Sequence, residues 1–321
     1  MGSLCRIRAN RSVLGCCLLL VGEAVCSSTS AEAQQLPDAG FEPPISVASF
    51  ARGAGPTVGI DEAHVNFHTM DGRYQSFARL LERDGYRVRP SSTSFARASL
   101  QTVDILVVAN AMHEQSAQEF APIPNLSAFT LAEIEEVEAW VRDGGSLLLI
   151  ADHMPIAGHA EDLAAAFGIR FHNGFVFDDE GSGLITFRRA DGSLMENDVV
   201  DGRDPSERVD SVTTFTGQGF RVDPGVIAEP LLVIPEGHTL FLPSVAWEFS
   251  DSTPRVPAAY LLQGALVRHG QGRVAVFGEA SMFSAQLAGP QQLPMGMNHP
   301  SAAQNYRFAL NVVRWLADEA N

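Results

Sequence analysis

The amino-acid sequence predicts an α/β fold built around a mainly parallel sheet. Two short runs, VDILVV at 103–108 and SLLLI at 146–150, are almost continuous in apolar residues, which is typical of strands covered on both faces. Segments with the apolar spacing of helices separate such runs along the chain. Because alternating strands and helices join through right-handed crossovers, we expect a flavodoxin-like, three-layer arrangement with helices on both sides of the sheet.

The elements of this fold follow one another in the first half of the chain. Apolar residues from Tyr74 to Leu81 recur on one helical face. Thr130 with Glu133 is a capping-box pattern that opens a second helix, and the glycines after it end that helix. In chain order, we predict strands over 57–60, 86–89, 103–108 and 146–150, and helices over 72–84, from 131 to the glycines at 144–145, and over 161–167.

The pattern of predicted strands and helices changes over 171–266. Short β-like runs broken by Gly, Pro and Asp replace the alternation of strand and helix, which predicts an antiparallel extension or inserted lobe. The predicted strands there cover 184–187, 209–215, 231–234 and 258–262. After this region, the sequence predicts a buried strand over 273–277 and a final amphipathic helix over 302–317.

The first 33 residues are predicted to be a signal peptide. An arginine-rich start precedes an apolar run at 12–25 and the cleavage pattern AEA at 31–33. That run is shorter than the ~20 residues of a membrane span. Lipidation of Cys26 is an alternative that the preceding residues match poorly. We therefore expect an extracytoplasmic protein, periplasmic or secreted, with a linker over 34–56 and one domain over 57–321.

The composition excludes several classes of function. All 22 basic residues are arginine, so Schiff-base chemistry through lysine and a phosphate-loop lysine are absent. The net charge of −16 argues against nucleic-acid partners, because these need a basic surface. All four cysteines lie within the predicted signal peptide. The chain that remains after cleavage therefore offers no disulfide, no thiolate metal ligand and no cysteine nucleophile.

Polar side chains follow several predicted strands, at the edge where open parallel sheets bind ligands. His64 and His68 come after the first strand, and His153 comes after the fourth. Imidazole nitrogens are common zinc ligands, so these three residues predict a divalent, zinc-like metal site. Asp152 and Glu279 are the candidate catalytic residues, because a carboxylate there can activate a water molecule.

Each candidate also has a structural interpretation. Asp152 can cap the turn that follows it, and Glu279 can form a salt bridge with an arginine. His153 can be a hydrogen-bonded loop histidine, and the pair His64 and His68 lacks the glutamate of the zinc-protease motif. Their joint position at strand ends is the observation that favours a functional site.

Parts of the chain resemble class I glutamine amidotransferase-like domains. The strand at 103–108, the capped helix, the double glycine and SLLLIAD resemble the middle of that fold. The stretch GRVAVFGEASMFSAQ, followed by Gln304-Asn305 and FALNVVRWL, is similar to the gliding-motility and intraflagellar-transport (GIFT) type and to related bacterial domains. The resemblance covers most of 57–316 and aligns poorly over 171–266. It implies that the β-rich region is an insertion in this domain.

The chain departs from the amidotransferases at their catalytic position. The nucleophilic cysteine of that family follows the strand that here ends in Asp152-His153, and this chain has no cysteine there. Glutamine hydrolysis through a thioester is therefore excluded. GIFT-type relatives also lack the catalytic triad and are thought of as binding or scaffolding domains.

Two functions from different classes remain. The first is a hydrolase, metal-assisted, in which the three histidines hold the metal and Asp152 or Glu279 activates water. The second is a non-catalytic module that binds a small polar ligand, such as a sugar or a peptide, in the same crevice. A serine hydrolase is disfavoured, because Ser281 in GEASMF lacks the G-x-S-x-G pattern.

Overall fold

A nine-stranded mixed sheet lies at the centre of the fold. The computed structural model describes residues 35–116 and 123–318. The predicted signal peptide and all four cysteines lie outside the described residues. No helix in these two ranges is both long enough and apolar enough to cross a membrane.

The described residues form seventeen strands and six α-helices. The strands are β1 Gln35–Pro37, β2 Thr57–Asp61, β3 Arg87–Ser91, β4 Ile105–Ala109, β5 Ser146–Ile150, β6 Ile169–Phe171, β7 Phe175–Asp178, β8 Leu184–Arg188, β9 Ser211–Phe215, β10 Phe220–Val222, β11 Ala228–Val233, β12 His238–Phe241, β13 Arg255–Pro257, β14 Leu262–His269, β15 Gly272–Phe277, β16 Ala285–Ala288 and β17 Leu293–Gly296. The helices are α1 Gln75–Arg83, α2 Arg97–Leu100, α3 Leu131–Arg142, α4 Ile156–Ala166, α5 Asp198–Asp201 and α6 Asn305–Leu316.

The central sheet has the order β3-β2-β4-β5-β15-β14-β10-β6, and β11 also pairs with β14. The first five strands of this order run parallel, whereas β14, β10, β11 and β6 pair antiparallel with their neighbours. A three-stranded sheet of β13, β12 and β7 and a ribbon of β8 and β9 extend the antiparallel part. The predicted fold class, a flavodoxin-like parallel sheet with an antiparallel extension, is confirmed.

Two hydrophobic cores cover the two faces of the sheet, and β4 shows why its sequence is continuously apolar. Ile105, Val107 and Ala109 pack into one core together with residues of α1 and α6. Leu106 and Val108 pack into the other core together with residues of α3 and α4. Since successive side chains of a strand point to opposite faces, both faces of β4 need apolar residues.

The described part of the predicted linker, residues 35–56, packs against the domain. β1 pairs antiparallel with β16, and Phe41, Ile45 and Phe50 contact the core beside α6. Prolines end regular secondary structure without preventing side chains from packing, so the composition of this segment did not show that some of its side chains pack on the core.

Two glycines explain where the predicted elements and the structure differ. A helix was predicted to begin at 161, whereas α4 begins at Ile156. Gly158 lies inside α4 at a position with no room for a side chain, because a Cβ there would lie 2.5 Å from Asn125 Oδ1. A strand was expected over 258–262, whereas β14 begins at Leu262 and continues through Gly264, where a Cβ would lie 2.8 Å from Phe277. Both glycines permit close packing, although glycine in a sequence usually indicates a break.

Candidate functional site

The carboxyl ends of β4, β5 and β15 lie side by side in the sheet. Ile150, the last residue of β5, pairs with Ala109 on one side and with Phe277 on the other. The residues that follow these three strands therefore meet at one edge. Asn110 accepts the backbone N–H of Asp152 on its side-chain oxygen at 3.0 Å, which ties the ends of β4 and β5 together.

Two carboxyl groups, Asp152 and Glu279, are buried at this edge. Asp152 is 7% exposed and Glu279 is 0% exposed. Asp152 accepts the backbone N–H of His153 at 2.8 Å and that of Ala280. Glu279 accepts the backbone N–H groups of Ser281 at 2.6 Å and Met282 at 2.8 Å. Backbone donors thus fix both carboxyl groups in place.

The two carboxyl groups hold protons more tightly than exposed ones. Burial raises the pKa of Asp152. Burial and the nearby charge of Asp152 together raise the pKa of Glu279 well above its ordinary value. Among ion pairs between described residues, one contains Asp152, with His153 at 3.9 Å, and none contains Glu279. A pair of neighbouring acids in such surroundings is suited to proton transfer.

Tyr74 lies behind the acid pair. Its buried hydroxyl donates to the carbonyl oxygen of Ala280 at 3.1 Å. Burial and the charges of Glu279 and Asp152 raise the pKa of Tyr74 well above its ordinary value. The residue therefore remains a phenol and a hydrogen-bond donor, and it holds the turn that follows β15.

His153 is the most accessible of the polar groups beside Asp152, with 18% of its side chain exposed. Its Nδ1 lies 2.8 Å from the carbonyl oxygen of Met154, so Nδ1 carries the hydrogen of that bond. In the neutral ring the lone pair is therefore on Nε2, which lies 3.9 Å from Asp152 Oδ1. The ring stacks on Phe175 at 4.5 Å.

His64 lies at the end of β2 and has both ring nitrogens occupied. Nδ1 is 2.9 Å from Asp61 and Nε2 is 3.0 Å from Glu133. The ring packs between Phe95 and Phe129 at 4.4 and 4.7 Å. Burial opposes the charged form, but hydrogen bonds and charges from the two carboxylates prevail and raise the pKa of His64. His64 is therefore an ion-paired imidazolium that joins β2 to the start of α3.

His68 has the opposite environment. Its side chain is buried against Tyr74 at 4.7 Å, and neither ring nitrogen has a hydrogen-bond partner among the residues that the structure describes. Burial, with a smaller contribution from the charge of Arg73, lowers the pKa of His68 to about 3. The ring is therefore neutral at all ordinary pH values.

The donor set does not fit the predicted zinc-like centre. A histidine ligates metal through a free nitrogen lone pair, and both nitrogens of His64 are bonded to carboxylates. Over residues 35–116 and 123–318, no group of three or more His, Cys, Asp or Glu residues is arranged to hold a metal ion. The structure brings Asp152, Glu279 and His153 to one edge, whereas His64 belongs to its own ion-paired cluster.

Backbone strain accompanies the site. Two non-glycine residues with positive φ belong to the site or contact it. They are Asn110 (49°), which bonds to Asp152, and Trp247 (66°), which contacts His153. Strained backbone of this kind concentrates at functional sites. No sequence motif indicates Tyr74 or Trp247, because one is a tyrosine on the apolar face of a predicted helix and the other is a loop tryptophan.

Neither a known protein family nor a curated protein matches this sequence. Among solved structures, the N-terminal domain of mmIFT52 is similar, with 16% identity, 81% of this chain and 96% of that chain covered, and a TM-score of 0.52. A cytoplasmic protein of Salmonella typhimurium has 14% identity, coverage of 81% and 98%, and a TM-score of 0.47. A thua-like protein of Bacteroides uniformis has 12% identity, coverage of 86% and 94%, and a TM-score of 0.43. These similarities concern the fold alone.

Proposed function

We propose that this protein is an extracytoplasmic acid–base hydrolase of small polar molecules that works through Asp152. The supporting observation is the buried pair of Asp152 and Glu279 at the carboxyl edge of the sheet. Taking carboxyl groups out of water is costly, and these two have no arginine partner among the described ion pairs. An arrangement that costs stability in this way is typical of active sites.

In the proposed reaction, ionised Asp152 accepts a proton from the attacking water. The bond between the substrate's electrophilic carbon and its leaving group breaks, and Asp152 returns the proton to the leaving group. The elements of water are thus added across the broken bond. His153 Nε2 offers a further hydrogen-bond acceptor on the open side. Glu279 is a positioning residue, since it holds the turn after β15 and its burial beside Asp152 favours the protonated form of the pair.

The raised pKa of Asp152 predicts the pH dependence of turnover. A general base must be ionised, so kcat should rise with pH through a value above that of an ordinary carboxyl group. Glu279 keeps its proton while Asp152 ionises, because its pKa is raised further, so Glu279→Gln replaces one neutral side chain by another and should leave the pH of this rise unchanged.

The test is turnover of a panel of 4-nitrophenyl esters and glycosides by the mature protein. Asp152→Asn should lower kcat by about 10²–10⁴-fold on any substrate that the wild type hydrolyses. Asp143→Asn, an exposed carboxyl after α3, is the matched control and should leave kcat unchanged. Turnover that survives in Asp152→Asn would refute the role of this residue.

The second candidate is a non-catalytic domain of the GIFT type that binds or scaffolds. It is favoured by the fold similarity to the N-terminal domain of mmIFT52 together with the C-terminal sequence resemblance. Membership of the class I glutamine amidotransferase-like superfamily is part of this proposal. Lack of turnover of every compound in the panel would favour it. Export is proposed for both candidates, and the N-terminal mass of exported protein, expected to begin at Gln34, tests it.

A further inference from the structure

An aromatic cluster of the antiparallel region contacts the candidate site. Its members are Phe175, Phe177, Phe241, Trp247 and Phe249. Phe175 and Trp247 lie 4.6 Å apart, and both contact His153, at 4.5 and 4.7 Å between ring centroids. One histidine therefore separates the cluster from Asp152.

The outer rings of this cluster are exposed. Trp247 is 48% exposed and Phe249 is 40% exposed. Trp247 also has a φ of 66°, an uncommon backbone conformation for a bulky residue. Exposing a large aromatic side chain and straining its backbone both lower the stability of the folded protein. A residue that combines the two is therefore expected where its side chain binds a ligand.

The charges around the cluster favour a positively charged ligand over a negatively charged one. Aromatic faces carry partial negative charge and attract cations. The guanidinium of Arg255 already lies 4.9 Å from the centre of the Phe241 ring, so one face of the cluster holds a cation. Asp152 adds a carboxyl group beyond His153, whose Nε2 is 3.9 Å from Asp152 Oδ1 and whose ring is 4.7 Å from that of Trp247. The chain carries a net charge of −16 without any lysine. A ligand with negative charge is excluded by repulsion, and a positive one is favoured.

We propose that the exposed ring of Trp247 binds the cationic head of an organic ammonium compound, with the carboxyl group of Asp152 supplying the opposite charge from beyond His153. The ring supplies a cation–π contact, and the carboxylate attracts the head group through space without touching it. Ammonium compounds are thus the proposed ligand class of the hydrolase site. Placing the ligand near Asp152 rests on the proposed function. It implies substrates with an ammonium group next to the bond that is cleaved.

Choline and its uncharged isostere 3,3-dimethyl-1-butanol form the probe pair, measured by isothermal titration calorimetry on the full-length mature chain. The two compounds have the same shape and differ in charge, so a difference in affinity reports charge recognition. We expect choline to bind at least about tenfold more tightly than the alcohol. Equal affinities, or no binding of choline at millimolar concentration, would overturn the proposal.

Two tryptophan variants locate the binding site. Trp247→Leu should weaken choline binding roughly tenfold, because the cation loses its aromatic face. Trp140→Leu, at the end of α3 on the opposite edge of the sheet, should leave the affinity unchanged. Should both variants bind choline as the wild type does, the aromatic cluster is not the site.

Asp152→Asn separates this inference from the proposed function. The variant should weaken choline binding, and acidification of the wild type should do the same, because each removes the carboxylate charge. If choline binding depends on Trp247 but no ester or glycoside is hydrolysed, choline esters included, the hydrolase proposal fails and the ammonium site stands. If turnover depends on Asp152 but choline does not bind, the ammonium inference fails alone.

Discussion

Two pairs of buried carboxyl groups in this molecule differ in how their charges are balanced. In one, which we call the balanced cluster, Asp84 and Glu207 are paired with Arg203 and Arg314. Arg314 Nη2 is 2.8 Å from Asp84 and its Nη1 is 3.0 Å from Glu207, and Arg203 Nη2 is 2.5 Å from Glu207. The cluster joins α6 to the end of α1 and to the turn after α5.

The acid pair of Asp152 and Glu279 is equally buried, yet it has no arginine partner among the described ion pairs. The carboxylate charges of the balanced cluster are therefore compensated by arginine, whereas the acid pair has backbone N–H donors and His153 in place of arginine. A protein that places two similar carboxyl groups in such different surroundings uses them differently. The balanced cluster holds elements together, and the acid pair is available for proton transfer.

The largest effect is expected from breaking the balanced cluster. Arg314→Met leaves the buried carboxylate of Asp84 without its partner, and should lower the free energy of unfolding by about 3–5 kcal/mol in urea titrations. Arg142→Met is the control, because Arg142 pairs with Glu138 on the exposed surface and should cost less than about 1 kcal/mol. Equal losses in the two variants would mean that burial does not distinguish these pairs.

The pH dependence of stability should have opposite signs in the two clusters. The raised folded pKa of Glu279 makes its contribution to stability fall as pH rises above the ordinary carboxyl range. Although burial opposes it, hydrogen bonds from Arg203 lower the pKa of Glu207. The contribution of Glu207 is therefore present above the ordinary pKa and is lost as pH falls through the lowered one.

Two glutamine variants measure this difference in urea titrations across pH. Glu279→Gln should cost about 1–3 kcal/mol at pH 5, because its NH₂ group would face a backbone N–H. That cost should shrink as pH rises, since glutamine cannot ionise. The cost of Glu207→Gln should shrink as pH falls. Slopes of the same sign for the two variants would contradict the distinction between the clusters.

A smaller effect is expected from the two histidines after β2. His64→Gln should lower the free energy of unfolding by about 1–2 kcal/mol below pH 6.5, because two charge-assisted hydrogen bonds are lost. Since the folded pKa of His64 is raised, this difference should disappear as pH rises through that value.

His68→Leu provides the comparison for His64. Its effect on stability should not vary between pH 5 and 9, because His68 stays neutral with a pKa of about 3. Titration of the imidazole ring protons by NMR measures the pKa of both histidines directly. A His68 that titrates near pH 6.5 would show that its ring is not buried in solution.

The smallest effect is expected from metal removal. Both nitrogens of His64 are occupied, so treatment with EDTA should leave Tm unchanged, and elemental analysis should find less than one zinc per chain. Stoichiometric zinc that stabilises the protein would instead restore the metal-assisted hydrolase and show that His64 exchanges a carboxylate for metal.

Much of the fold could be predicted from local sequence pattern. The strand over Ser146–Ile150 and the capping box of Thr130 and Glu133 lie where the sequence places them. The predictions missed β14 and the start of α4, because Gly264 and Gly158 resemble breaks and in fact allow close contacts. For the candidate site, the strand ends indicated Asp152, His153 and Glu279 but not their partners.

The sequence by itself determined the fold class and the acidic, lysine-free character of the chain, because periodicity and composition are local properties. Only the tertiary structure decided the chemistry of each group. Glu133, which caps its own helix, also pairs with His64, 69 positions earlier, and Trp247 contacts His153, 94 positions earlier. Charge interactions and burial depend on distance in space and on exclusion of water, and spacing along the chain contains neither quantity.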